Sequence, residues 1–434
     1  MGGAGRALRQ HRVRQALAPA VSGSLIRHDA EVATFASGLR APFARYWLSG
    51  FLADFGDGVR LAAVPLLAVH LTRSPAAVAA VTAVQGVPWL LLGGGLGVAV
   101  DRTDRRRLMV TVDLARAAVI VALAAAILAH SAGLWLIYLT AFVTGAGSAL
   151  RDTAAVTCVP RLVQPDRLEQ ANARVIAGQI VGNELAGPAA GGWLFGLAAV
   201  LPFAVNAGTL GIAVLLLLTL PGVFGALPRQ QGTRGASLWH DFTEGLRWLW
   251  HDPGMRDVTI VAGLVSALDA AWFAVLVLFV VGDLHQQPGA YGLLLAIGAL
   301  GGVAIGGIGA VLTRRLGPWR SLLLGGVAMA ASQAGLGLTG NVVVAAAMLF
   351  ISSGAWALFN MTAVTMRQRQ VPAALLGRVS SLFGTVTRGT EALGAVAGGA
   401  LAATAGIRAP MLVGAPPLAV AVTVLAWRHR RATA

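Results

Sequence analysis

The chain contains no lysine, so its 33 basic residues are all arginine; against 18 acidic ones they give a formal net charge of +15. Such one-sided use of arginine points to a GC-rich bacterial genome rather than to a chemical need. Charge of either sign is scarce, at 12% of residues, about half the share of an ordinary soluble domain. That is too little to cover a soluble surface. There is one cysteine, Cys158, which excludes an internal disulfide and a cysteine-based metal cluster. No Gly-x-x-x-x-Gly-Lys, His-Glu-x-x-His or Gly-x-Ser-x-Gly pattern occurs, so nothing supports ATP drive, zinc peptidase or serine hydrolase chemistry. Residues 1–45 are rich in arginine and lack an early apolar core, unlike a cleavable signal peptide.

What the chain has is apolar length. Hydrophobic residues make up 56% of it, and the mean hydropathy is +0.73. Blocks such as 108–128, 201–220 and 342–358 are long enough to cross about 30 Å of hydrocarbon. Twelve spans are predicted: 44–71, 76–99, 108–129, 134–158, 172–199, 201–220, 257–282, 289–312, 320–339, 342–365, 376–404 and 410–427. They divide the chain into an arm (1–43), a first bundle of six (44–220), a connection (221–256), a second bundle (257–427) and a tail (428–434). Within the connection, Leu238, Phe242, Leu246 and Leu249 fall at helical spacing. This predicts an amphipathic helix, either on the membrane surface or simply tying the bundles together.

The arginines fall in alternate connections. They crowd the arm, the loop after span 2 (Arg102, Arg105, Arg106, Arg107), the 221–256 connection, the loop after span 8 (Arg314, Arg315) and the tail. The opposite set of loops carries almost none, with Arg73 and Arg408 as exceptions. By the positive-inside rule both termini are cytoplasmic. Charge shared out in this way is a topology signal and not the concentrated footprint of a nucleic-acid binder.

Segment 164–201 repeats in 371–408 at one constant offset. Pro165 aligns with Pro372, Gly182 with Gly389, Glu184 with Glu391, Gly187 with Gly394, and Gly191-Gly192 with Gly398-Gly399. Span 5 thus matches span 11 in the same orientation, the mark of a parallel repeat of two six-helix halves with a site between them.

The loop after span 2 reads Gly97-Val-Ala-Val-Asp101-Arg102-Thr-Asp104-Arg105-Arg106-Arg107, and a degenerate copy, Gly309 to Arg315, follows span 8. The first resembles the signature loop of the major facilitator superfamily, Gly-x-x-x-Asp-Arg-x-x-Arg-Arg. The resemblance implies an all-α membrane fold of two six-helix bundles. It also implies a gating loop of Gly97, Asp101, Arg102, Arg105 and Arg106, with Arg314 in the second copy. A plain topogenic loop is the alternative. Span 5 carries Gly187-Pro188-Ala-Ala-Gly191-Gly192, which is similar to the closing part of the antiporter motif of the superfamily's exporters. Helix packing alone would also explain these residues. The arginine that family exporters often carry early in span 4 is missing; Ala141 stands near that place.

Ionisable residues inside spans are expensive, at least about 2.5–3.5 kcal/mol for a bare charge at mid-membrane, and so should face the bundle interior. Asp57 is the foremost, with Asp54 and Arg60 one turn away on either side. Glu184, Glu391 and Asp269 follow, with Arg388 and Arg151 as further charge partners. Each carboxylate is either a proton-coupling group or half of a structural ion pair. The stretch 56–78 resembles the drug:proton antiporters that include the enterobactin exporter and macrolide efflux proteins. That resemblance implies an exporter of an amphiphilic small molecule, powered by the proton gradient, without a cofactor or metal, working as a monomer in the cell membrane. A siderophore exporter or lysolipid flippase of the same fold is the alternative; a transport-dead sensor or membrane enzyme has less support. Single cysteines introduced at positions 107 and 234 in a Cys158→Ala background should react with an impermeant thiol reagent from the same side of the membrane. Labelling from opposite sides would overturn the assigned topology.

Overall fold

The computed structural model describes residues 40–92, 103–164, 167–220, 238–372 and 375–430. These form twelve long helices and a connector helix, with no strand among the described residues. The first half holds α1 (Arg40–Leu71), α2 (Pro75–Leu92), α3 (Arg105–Leu128), α4 (Leu134–Cys158), α5 (168–197) and α6 (Leu201–Leu218). The connector spans Leu238–His251. The second half holds α7 (Pro253–Asp283), α8 (Pro288–Leu316), α9 (Pro318–Leu338), α10 (Val342–Gln370), α11 (Leu376–Ala405) and α12 (Ala409–Arg430). The first half thus begins at Arg40, earlier than 44, and the second at Pro253, earlier than 257.

Proline at the first helical turn sets several starts, because its missing N–H is one the helix leaves unpaired there anyway. Pro75, Pro253, Pro288 and Pro318 all sit so. Asp252 caps α7 by accepting from Met255 N at 2.8 Å, and Asp104 caps α3 by accepting from Arg107 N at 2.9 Å. α5 and α7 are each interrupted by a π-helical stretch, Ile180–Ala186 and Phe279–Asp283. Eight of the helices are long and apolar enough to cross a membrane by length and composition. α1, α2, α5 and α11 are not among them: α2 is apolar but short, and the other three carry the charges that hydropathy counts against.

The repeat shows as pseudosymmetric packing. α5 lies on α1 and reaches across to α8; α11 lies on α7 and reaches across to α2. A Cβ on Gly187 would fall 2.6 Å from the Gly58 Cα, and one on its repeat mate Gly394 would fall 2.6 Å from the Ala267 carbonyl carbon. Likewise a Cβ on Gly192 would meet the Gly292 nitrogen of α8 at 2.9 Å, and one on Gly399 the Ala76 Cα of α2 at 3.2 Å. Backbones this close need glycine and let dispersion forces join helices where the hydrophobic effect is absent.

The halves are sealed to each other at the arginine-poor end. One buried cluster there combines Val64, Leu67, Val78, Leu136 and Phe203 of the first half with Leu276, Phe279, Tyr291 and Ala402 of the second. At the arginine-rich end each half keeps its own cluster: Tyr46, Met109 and Leu162 in one, Met255, Leu322 and Leu425 in the other. The connector helix joins the second of these through Leu249 and Trp248, and Glu244 pairs with Arg378 of α11. Arg408, an exception to the arginine pattern, is a tie at the sealed end. It meets Asp283 at 2.8 Å and donates to Gly337 O.

Gly58 faces backbone atoms of α5, with the Asn183 oxygen 2.6 Å from its Cβ position, whereas Gly50 has open space. Overpacking of this kind costs about 1–3 kcal/mol. Gly58→Ala should therefore lower the thermal midpoint of the detergent-purified protein by several degrees and Gly50→Ala should not; equal midpoints would contradict the packing.

Candidate functional site

Two groups of polar side chains lie inside the helical bundle, and they differ in kind. The first is a closed chain of ion pairs within the first half. Asp57 of α1 lies 3.6 Å from Arg60 and bonds directly to Arg116 of α3. Arg116 also meets Asp113 at 3.3 Å, and Asp113 in turn bonds to Arg151 of α4. Arg151 finishes on the Ser49 carbonyl at 3.2 Å. Arg116 and Asp113 have no exposed side-chain surface. Breaking such a pair leaves an uncompensated buried charge. The equivalent part of α9 in the second half reads Gly325-Gly-Val-Ala-Met329, without charge, so the chain of pairs is not repeated.

The second group lines a central cavity between the halves, in two adjoining chambers of about 190 and 270 Å³. Both are bordered by Thr82, Phe273, Arg388 and Glu391. The smaller adds Arg60, Gln85, Trp89 and Tyr291; the larger adds Asp269, Trp356, Phe359 and Asn360. Arg388 stands 3.6 Å from Glu391 and lies over the Trp89 ring at 5.1 Å. Asp269 accepts a hydrogen bond from Trp272 Nε1 at 3.1 Å. The cavity therefore presents aromatic faces and carboxylates together.

A profile of the Major Facilitator Superfamily matches residues 46–390. The chain belongs to the Major Facilitator Superfamily. It is a multi-pass membrane transporter of that family. It is 26% identical over 397 residues to the multidrug efflux pump Tap of Mycolicibacterium fortuitum, covering 87% of this chain and 93% of that protein. It is 28% identical over 371 residues to the enterobactin exporter EntS of Escherichia coli O1:K1, covering 83% and 85%. Among solved structures, a bacterial homologue of the iron transporter ferroportin in its inward-facing state superposes with a TM-score of 0.71 at 18% identity, over 90% of this chain and 99% of that one. The nucleoside transporter NupG gives 0.67 at 15%, over 91% and 98%.

The residues singled out from sequence separate in space. Asp57 and Arg60 sit together in the ion-pair chain. Arg151 joins that chain through Asp113 rather than through Asp57, and Asp54 lies one turn from Asp57, half-buried. Glu391, Arg388 and Asp269 meet at the cavity, whereas Glu184 is exposed on the π-helical stretch of α5. The repeat mates Glu184 and Glu391 are thus not brought together. Gly187 and Gly191 pack on α1, and Gly192 packs on α8 across the junction. Of the signature loop, Gly97, Asp101 and Arg102 lie outside the described residues. Arg105 is buried, and Arg106 donates to the Leu218 and Leu220 carbonyls. A guanidinium there satisfies carbonyls that the C-terminal end of α6 leaves unpaired and complements its dipole. In the second copy Arg314 is exposed.

Asp113 and Arg116 were hidden inside a stretch read as uniformly apolar. Their three-residue spacing, the same as that of Asp57 and Arg60, was the available signal. Asp113→Asn should destabilise the protein by about 3–5 kcal/mol, the usual cost of removing one partner of a buried pair. The measurement is thermal unfolding in detergent; an unchanged midpoint would show that the pairs contribute nothing.

Proposed function

We propose that this chain exports an amphiphilic small molecule in exchange for protons, with both termini cytoplasmic and the central cavity as its cargo site. The observation that carries this reading is the cavity wall. It sets Trp89, Phe273 and Trp356 beside Asp269 and Glu391 at the junction of two halves sealed at the arginine-poor end. Aromatic faces hold an apolar body, and a carboxylate removed from water can gain and lose a proton as its surroundings change. Two relatives whose names describe efflux and export support the outward direction. Coupling is assigned to the cavity carboxylates rather than to Asp57, because Asp57 is held by two guanidinium groups and losing its charge would strand Arg60 and leave Arg116 with Asp113 alone. Glu184, exposed on α5, is outside this assignment. The ion-pair chain instead fixes α1, α3 and α4 as one body that can rock against the second half.

In proteoliposomes with an imposed pH gradient, the wild type should drive ethidium against its concentration gradient and release protons in return, read with a trapped pH dye. Ethidium movement indifferent to the gradient would sink proton antiport. Asp269→Asn should abolish gradient-driven movement, and Asp57→Asn should reduce it only in proportion to lost folded protein.

A further inference from the structure

A groove runs between α1 and α5 at the arginine-rich end, and its lining comes from the first half. Its volume is about 1290 Å³, against about 190 and 270 Å³ for the central chambers. Drug-sized sites span roughly 300–1,000 Å³, so this groove has room for a longer ligand. One wall is aromatic. Phe43, Trp47 and Phe51 recur every fourth residue along α1, a strip about 12 Å long at the rise of a helix. The Trp47 and Phe51 rings stack at 5.6 Å. Trp47 Nε1 donates to Arg174 O at 2.9 Å, and a Cβ on Gly178 would fall 3.1 Å from that nitrogen. The indole N–H is therefore spent on α5, unlike that of a tryptophan facing interfacial water. The other wall, at the start of α5, carries Arg167 and Arg174. Both are exposed, and neither is in an ion pair among the described residues. Farther along, α5 presents only Ala177, Gly178 and Val181. Leu48 and Ile176, beside the groove on the two helices, are exposed apolar side chains, as suits a surface turned to hydrocarbon.

The groove is graded, cationic at the arginine-rich end and apolar toward the middle of the bilayer. A phospholipid in the adjacent leaflet has the matching gradient, with phosphate at the surface and acyl chains toward the centre. Guanidinium groups pair with phosphate oxygens through parallel N–H bonds, and basic pockets between helices near a membrane surface hold anionic head groups. A zwitterionic lipid would bring a quaternary ammonium group against two arginines. A free phosphate would leave the aromatic wall unused. We propose that the α1–α5 groove binds one anionic phospholipid, with its phosphate on Arg167 and Arg174 and an acyl chain along Phe43, Trp47 and Phe51. The bound lipid braces the start of α5 against α1, just ahead of the π-helical stretch Ile180–Ala186. The site is separate from the central cavity and does not depend on what the protein exports.

The test titrates the purified full-length chain in detergent with dioleoyl phosphatidylglycerol or dioleoyl phosphatidylcholine and reads bound lipid by native mass spectrometry. The two lipids share their chains and differ in head-group charge. The wild type should retain one phosphatidylglycerol and bind it about tenfold more tightly than phosphatidylcholine, the scale expected of two arginines facing an anionic head group. Arg167→Gln combined with Arg174→Gln should bring phosphatidylglycerol down to the level of phosphatidylcholine, with the thermal midpoint of the lipid-free protein unchanged. Ala177→Trp, which fills the apolar part of the groove from an exposed position, should weaken phosphatidylglycerol binding to a similar extent. Arg247→Gln, an exposed charge on the connector helix, should match the wild type. Glycerophosphoglycerol, the head group without chains, should not displace the lipid. Equal affinity for the two lipids, or unchanged phosphatidylglycerol binding in the double variant or in Ala177→Trp, would overturn the assignment. Displacement by the chain-free head group would overturn it too, by making the groove a site for a soluble phosphate.

Discussion

Inside a bilayer a charge has no water to fall back on, and the interior of this transporter is arranged around that constraint. Two carboxylates and three guanidinium groups within the first half form one connected chain, from Asp57 through Arg116 and Asp113 to Arg151, with Arg60 at its head. Each member is compensated by a neighbour on another helix or one turn away. α1, α3 and α4 are thereby held in a single relative position. Asp269 is different, since its partner is a neutral indole. The same constraint that ties the first group together is met at Asp269 by a neutral donor, which is why the proposed proton coupling is placed at the cavity carboxylates.

The two halves share a plan and divide the work. Glycines related by the repeat bring α5 onto α1 and α8, and α11 onto α7 and α2, so the junction is built twice from one recipe. Backbone contact at the glycines lets the halves meet closely at the arginine-poor end, where a common hydrophobic cluster seals them. The charged chain belongs to the first half, while its counterpart in α9 is apolar. The second half supplies Asp269, Arg388 and Glu391 to the cavity. One half is therefore locked internally, and the other carries most of the cavity's ionisable groups.

Much of the fold was legible in the sequence. Twelve spans, the parallel repeat and the signature loop pointed to the major facilitator fold, because hydrocarbon thickness and backbone hydrogen bonding leave few ways to build a spanning segment. Helix starts were less legible. Pro253 and Pro288 begin α7 and α8 a little before the apolar run, since capping and proline geometry decide a start and hydropathy does not. Asp113 and Arg116 escaped notice because two charges barely lower the mean hydropathy of α3. Arg408 looked like a stray in the wrong set of loops until Asp283 appeared beside it.

The sequence by itself determined that this chain lies in a membrane, in two similar halves, with arginine crowded on one face. Those properties depend on composition and periodicity, which are local and additive along the chain. Only the tertiary structure decided which carboxylates are held and which are available. Asp57, Asp269, Glu184 and Glu391 look alike in a string of residues. Packing put Asp57 between two guanidinium groups, Glu184 on an exposed stretch of α5, and Asp269 and Glu391 on a cavity wall. The energy of a buried charge depends on what stands within a few ångströms of it, and those neighbours come from helices far apart in the chain.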